Sequence, residues 1–193
     1  RVPYEGRSLS RHHEWEAPQE ATPPFRQMAK PVIVGVNGIC CGAGLDLVTT
    51  GDIVIASERA EFFDPHVSIG LVSGREMVRL ARVLPLNVAM RAALMGKHER
   101  ITAQRAFDLG LVTEVVPHDE LGTRLAEIAA TVNRNAPLAV RGTRMAIRTG
   151  LALPLHEAEI LAEAYRERNL HTDDAGEGPR AFLEKRDPRW EAR

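Results

Sequence analysis

Asn37-Gly38-Ile39-Cys40-Cys41-Gly42-Ala43-Gly44-Leu45-Asp46 joins a strand pattern to a helix pattern through a run of small residues. Before it runs Val32-Ile33-Val34-Gly35-Val36, mostly β-branched and suited to a buried strand. Asn37-Gly38 reads as a turn. After Gly42-Ala43-Gly44 the apolar run Leu45 to Val48 suits a helix, closed by Gly51-Asp52. Small residues between strand and helix let a ligand approach the backbone closely. The first N–H groups of a helix lack intrahelical partners and carry the positive end of its dipole. Such a turn can hold an oxyanion, for example the enolate-like oxygen of a thioester. Small residues there also serve tight packing of helix on strand.

Ile53-Val54-Ile55-Ala56 reads as a second buried strand, and Ala60 to Asp64 as a third ended by Pro65. Glu76 to Met95 has Met77, Leu80, Ala81, Leu84, Val88 and Leu94 at helical spacing, with a break at Pro85. Thr102 caps a helix to Leu109 that stops at Gly110, and Leu111 to Val116 is a strand ended by Pro117. Asp119 to Asn133, Leu138 to Thr149 and Leu155 to Leu170 are amphipathic helices. A last helix, Pro179 to Lys185, follows a polar turn, Thr172 to Gly178. These elements divide the chain into an irregular segment 1–29, an α/β core 30–135 and a helical region 136–193.

Composition narrows the function classes. The 193 residues are 44 % hydrophobic and 26 % charged, enough for a sizeable core. With 25 basic and 26 acidic side chains the net charge is −1, so no global field attracts nucleic acid or an anionic membrane, and an anion site must be local. The longest apolar stretch, Pro31 to Val48, includes Asn37, Asp46 and four glycines and is no membrane span. Cys40 and Cys41 are adjacent, could pair only through a strained ring, and fit free thiols in a reducing compartment, the cytoplasm. No base stands beside them in sequence, so they read as packing thiols. His12, His13 and Glu14 lack a further ligand at a useful spacing and read as a solvated loop, and no metal is expected.

Lys30-Pro31-x-Ile33-x-x-Val36-x-Gly38, then Gly42-Ala43-Gly44-x-Asp46-Leu47, then Asp52-Ile53-x-Ile55-Ala56 resemble the central signature of the enoyl-CoA hydratase/isomerase (crotonase) family. Ala60-x-Phe62, Pro65-x-x-x-Ile69-Gly70-Leu71, Ile101-Thr102-Ala103-x-x-Ala106-x-x-Leu109-Gly110-Leu111-Val112 and Val115-Val116-Pro117 follow in the same order. Ala181-Phe182-Leu183-Glu184-Lys185-Arg186 resembles the family's C-terminal ending. The resemblance implies a spiral of ββα units with a C-terminal helical region, a homotrimer or hexamer, and a CoA thioester as substrate with no other cofactor. It implies that the N–H of Ala43 grips the thioester oxygen. A second N–H is expected from an Ala-Gly-x-Asp-type turn nearer the family's N-terminus. No such turn precedes Lys30, so the lettered chain is expected to lack that fold's N-terminal part.

Two departures bear on the reaction. In family hydratases two glutamates hold a water, one as base and one as acid. By resemblance the first falls at Asp46 and the second at His66. An Asp is one methylene short, which sets its carboxylate about 1 Å farther from a water placed for Glu, a shift that can cost roughly a hundredfold. His66 can exchange a proton near neutral pH. Taken singly, Asp46 also reads as an acidic residue in a helix's first turn, and His66 as an ordinary loop histidine. A third departure is Val72-Ser73-Gly74-Arg75-Glu76, where the family often has glycines. Glu76 is either a substitute carboxylate near the acyl group or the start of a helix, and Arg75 reads as a surface or subunit-contact residue. Phe182 and Lys185, with Arg186, are expected to meet the nucleotide end of CoA; the same cations also suit a helix C-terminus. The alternatives are other acyl-CoA chemistry on this fold (isomerase, decarboxylase, hydrolase) or a non-catalytic acyl-CoA-binding protein.

Overall fold

The computed structural model describes residues 28–193. His12, His13 and Glu14, and all but the last two residues of the segment 1–29, lie outside the described residues. From Ile33 the chain lays down strands in pairs. β1 (Ile33–Val36) and β2 (Ile39–Cys41) lead into helix α1 (Ala43–Thr50). β3 (Ile53–Ser57) and β4 (Glu61–Phe63) lead, through a 3-10 turn at His66–Ile69, into α2 (Arg75–Leu80) and α3 (Leu86–Met95). β5 (Ile101–Thr102), α4 (Ala103–Asp108), β6 (Glu114–Val116) and α5 (Leu121–Asn133) follow. The members of each pair enter different sheets. One sheet has the order β1-β3-β6, all parallel; the other has β2-β4-β5, with β2 and β4 parallel and β5 antiparallel to β4. The result is the spiral of ββα units.

Alternation along β3 explains why both faces of the first sheet are covered. Val54 and Ala56 point into the main core, with Leu45, Val48, Phe62, Leu80, Ile101, Ala106 and Val112. Ile55, one residue out of phase, points the other way, against Val116, Leu121 and α5. α5 comes so near β1 that a Cβ on Gly35 would lie 2.5 Å from Leu125 Cδ1. A side chain at 35 would force the end of Leu125 to move.

The helical layer of α6 (Pro137–Gly150), α7 (Leu155–Leu170) and α8 (Asp173–Leu183) is fastened by charge. Asp52, just before β3, accepts hydrogen bonds from Arg144 Nε (2.6 Å), Arg148 Nε (2.8 Å) and the Val32 N–H (2.7 Å). Arg144 also donates to the Met28 carbonyl, and Arg148 to that of Gly51. Burial pushes the Asp52 carboxyl up, but these donors outweigh it and hold the group below its ordinary value.

Several elements differ from the sequence expectation, among them β6, which begins at Glu114 rather than Leu111. A strand, β2, lies inside the stretch 37–46, and α1 opens at Ala43 rather than Leu45. The helix start is set by backbone geometry: Gly42 has φ 50° and ψ −118°, and its carbonyl receives the Leu45 N–H at 2.9 Å. β2 and β5, of three and two residues, are too short to show a period. α8 begins at Asp173, so the polar turn expected from Thr172 to Gly178 is largely helical. The buried Asp174 carboxylate takes the N–H groups of Glu191 (2.7 Å) and Ala192 (3.1 Å), and this tertiary tie overrides the poor helix propensity of Gly176, Gly178 and Pro179.

Candidate active site

The glycine turn ends β2 and opens α1. Ala43 is the first helical residue and is exposed, so its N–H has no carbonyl within the helix to bond. Gly42 occupies a backbone region that only glycine enters without strain. Below the turn, Cys40 is buried, and a Cβ on Gly44 would stand 3.0 Å from its Sγ. Burial first, and the neighbouring Cys41 second, push the Cys40 thiol up to about 12. It is a packing group, not a nucleophile.

His66 stands over the same turn: its Cε1 lies 3.8 Å from where a Cβ on Gly42 would be. β4 delivers it. The strand ends at Phe63, Pro65 turns the chain, and His66 starts the 3-10 turn, which closes at Gly70 (φ 79°). The His66 carbonyl receives the Leu71 N–H at 3.0 Å, which fixes the backbone. The ring is about a quarter exposed, and its Nδ1 lies 2.7 Å from Oδ1 of Asp64. Asp64 is fully buried, and its Oδ2 has no hydrogen-bond partner.

Asp46 is directed to different partners. Its Oδ1 accepts from Arg79 Nη1 at 2.6 Å, and Arg75 Nη2 stands 3.6 Å from Oδ2. The carboxylate therefore links α1 to α2, where Arg79 arrives one helical turn after Arg75. The structure thus brings His66 to the turn that presents Ala43, and engages Asp46 with guanidinium groups. Glu76 lies in the first turn of α2, half-buried. Phe182 is 82 % exposed near the end of α8, on the helical layer rather than on the elements that carry Ala43 and His66. Lys185 follows α8, exposed, with φ 53°. Arg186, grouped with it as a cation for CoA, pairs with Glu177 (2.6 Å) and Glu184 (2.5 Å).

Two residues of this site escaped the sequence reading. Asp64 passed as the end of a strand; its one signal was an acid two residues before a histidine. Arg79 had none, since only the fold brings it to Asp46.

A sequence model of the family described as enoyl-CoA hydratase/isomerase matches residues 5–193. Among curated proteins, the mevalonyl-coenzyme A hydratase sidH of Aspergillus fumigatus is 37 % identical over 181 residues, 92 % of this chain and 66 % of that protein. Carnitinyl-CoA dehydratase of Escherichia coli K12 is 34 % identical over 169 residues, 85 % of this chain and 64 % of that protein. The chain therefore spans just under two thirds of the length of these relatives. Among solved structures, an enoyl-CoA hydratase/isomerase from Mycobacterium paratuberculosis superposes with a TM-score of 0.88 at 70 % identity, over 96 % of this chain and 73 % of that one.

Proposed function

Because this chain belongs to the enoyl-CoA hydratase/isomerase family, we propose that it adds water across the double bond of a 2-enoyl-CoA thioester, with His66 as the proton carrier. The observation that carries this reading is the imidazole standing over the glycine turn whose first helical N–H, that of Ala43, is unsatisfied within the helix. In the proposed step, the water oxygen bonds to C3 of the acyl chain while His66 takes its proton. The π electrons move through C2 to the thioester oxygen, where the Ala43 N–H and the α1 dipole stabilise the charge. The imidazolium then gives its proton to C2, the carbonyl re-forms, and the site returns to its starting state. One group thus serves as base and then as acid.

The engagement of Asp46 by Arg79 and Arg75 favours a second reading, a double-bond shift. A shift needs one group to remove a proton and return it elsewhere, without an activated water. Turnover assays with short and long 2-enoyl-CoAs, beside 3-enoyl-CoAs, separate the two. Hydration yields 3-hydroxyacyl-CoA from the 2-enoyl substrates. Exclusive conversion of 3-enoyl to 2-enoyl thioesters favours the shift, and binding without turnover of either contradicts both.

The same reading gives the CoA nucleotide end to the segment around Phe182 and Lys185, an exposed ring beside an exposed cation. It gives the protein a homotrimeric or hexameric state and a cytoplasmic location. The free thiols of Cys40 and Cys41 support the last. No described helix is long and apolar enough to cross a membrane.

A further inference from the structure

We propose that Asp64 is the positioning residue of His66, holding the proton on Nδ1 and aiming a bare Nε2 at the substrate. This assignment rests on reading His66 as the proton carrier. Asp64 is the first residue after β4, directly behind the buried Phe62 and Phe63, and no part of it reaches solvent. Its hydrogen bond goes to His66 at 2.7 Å, and its Oδ2 is buried with no hydrogen-bond partner. A carboxylate in that position is costly, and an apolar side chain would fill the space more cheaply. What the carboxylate supplies, and an apolar group cannot, is an acceptor fixed in the core. With Asp64 taken as the acceptor, the hydrogen of the 2.7 Å bond lies on Nδ1 of the ring. In neutral imidazole the other nitrogen is then the acceptor.

The rest of the geometry agrees. Pro65 and the 3-10 turn fix the backbone on either side, so the ring is held at both its Cα and its Nδ1. Its Cε1, between the two nitrogens, faces Gly42. When Nε2 takes a proton, the buried carboxylate faces the resulting imidazolium and balances its charge, with no proton passing to Asp64. The dyad therefore offers one strong, oriented proton carrier where two free carboxylates are otherwise used.

Two measurements on the protein test this. Long-range 15N–1H spectra of the wild type should show neutral His66 as the Nδ1–H tautomer. Asp64→Asn places an amide that can donate to Nδ1, so the variant should switch to the Nε2–H tautomer. Its kcat on a 2-enoyl-CoA should fall by about 100-fold or more, with KM within about threefold. Asp64→Asn at wild-type kcat, or a wild-type ring protonated on Nε2, overturns the assignment and leaves the hydration reading intact. The expected tautomer switch in a protein that turns over no enoyl-CoA does the reverse: it upholds the positioning role and sinks the hydration reading. Should Asp64→Asn fail to fold, the wild-type tautomer alone decides, Nδ1–H for the assignment and Nε2–H against it.

Discussion

At Asp46 the chain keeps an acid where a catalytic glutamate was expected, and the side chain is tied to Arg79 at 2.6 Å, largely out of water. The residue joins two helices, so its loss should register first in stability. Asp46→Ala leaves the Arg79 guanidinium, itself about four-fifths buried, without its carboxylate. We expect a loss of roughly 2–3 kcal/mol in urea unfolding, near the cost of leaving a buried polar group unpaired. Unchanged stability with abolished turnover would return Asp46 to the catalytic role. His66 is part-exposed at the start of a short turn, yet its loss leaves the buried Asp64 carboxylate without its hydrogen-bond partner, so His66→Ala should also lose about 1–3 kcal/mol while remaining folded. The residue types at 43, 46 and 66 were legible in the sequence by their order along the chain. Their partners were not, because Arg79 and Asp64 act through packing that no local spacing encodes.

Elements were legible where a period had room to repeat. α5, α6 and α7 lie within two residues of where apolar spacing put them, and Thr102 caps α4 by accepting the Arg105 N–H at 3.2 Å. β2 and β5 were hidden by their brevity, and the start of α8 by Gly176, Gly178 and Pro179. The join between α6 and the spiral was equally hidden, since Asp52 and Arg144 are 92 residues apart in sequence. That join gives a prediction of its own. The Asp52 carboxyl is held below its ordinary value in the folded state, so its contribution to stability is full above the unfolded value, about pH 4. It is lost as the pH falls from there through the lower folded value. Arg144→Ala should cost about 3 kcal/mol at pH 7, toward the lower end for a broken buried pair because Arg148 remains. The difference between variant and wild type should shrink as the pH falls below about 4, where the unfolded carboxyl takes up its proton before the folded one does. A difference that stays constant between pH 7 and pH 3 would show that Arg144 acts by packing alone.

For the whole molecule, the sequence signature implied the spiral, and the alternate filling of two sheets follows from it. The helical layer is less self-contained. Ala158, Leu161 and Ala162 are half-buried in α7, and Ala158 packs against Gly150 of α6. Ile147, Leu151, Leu155, Ile160 and Leu183 remain exposed. An apolar surface of this kind suits contact with further copies. Sedimentation at micromolar concentration should give a trimer or hexamer, and a stable monomer would contradict that expectation.

In the proposed reaction one histidine over the glycine turn moves the proton that adds water to an enoyl thioester. Incubation of a 2-enoyl-CoA with the protein in H2(18)O, followed by mass spectrometry, tests this step. The expected product is a 3-hydroxyacyl-CoA carrying one 18O, formed by the wild type and slowed by about 100-fold or more in folded His66→Ala. Labelled product formed at the wild-type rate by His66→Ala, or none formed by the wild type, would contradict it.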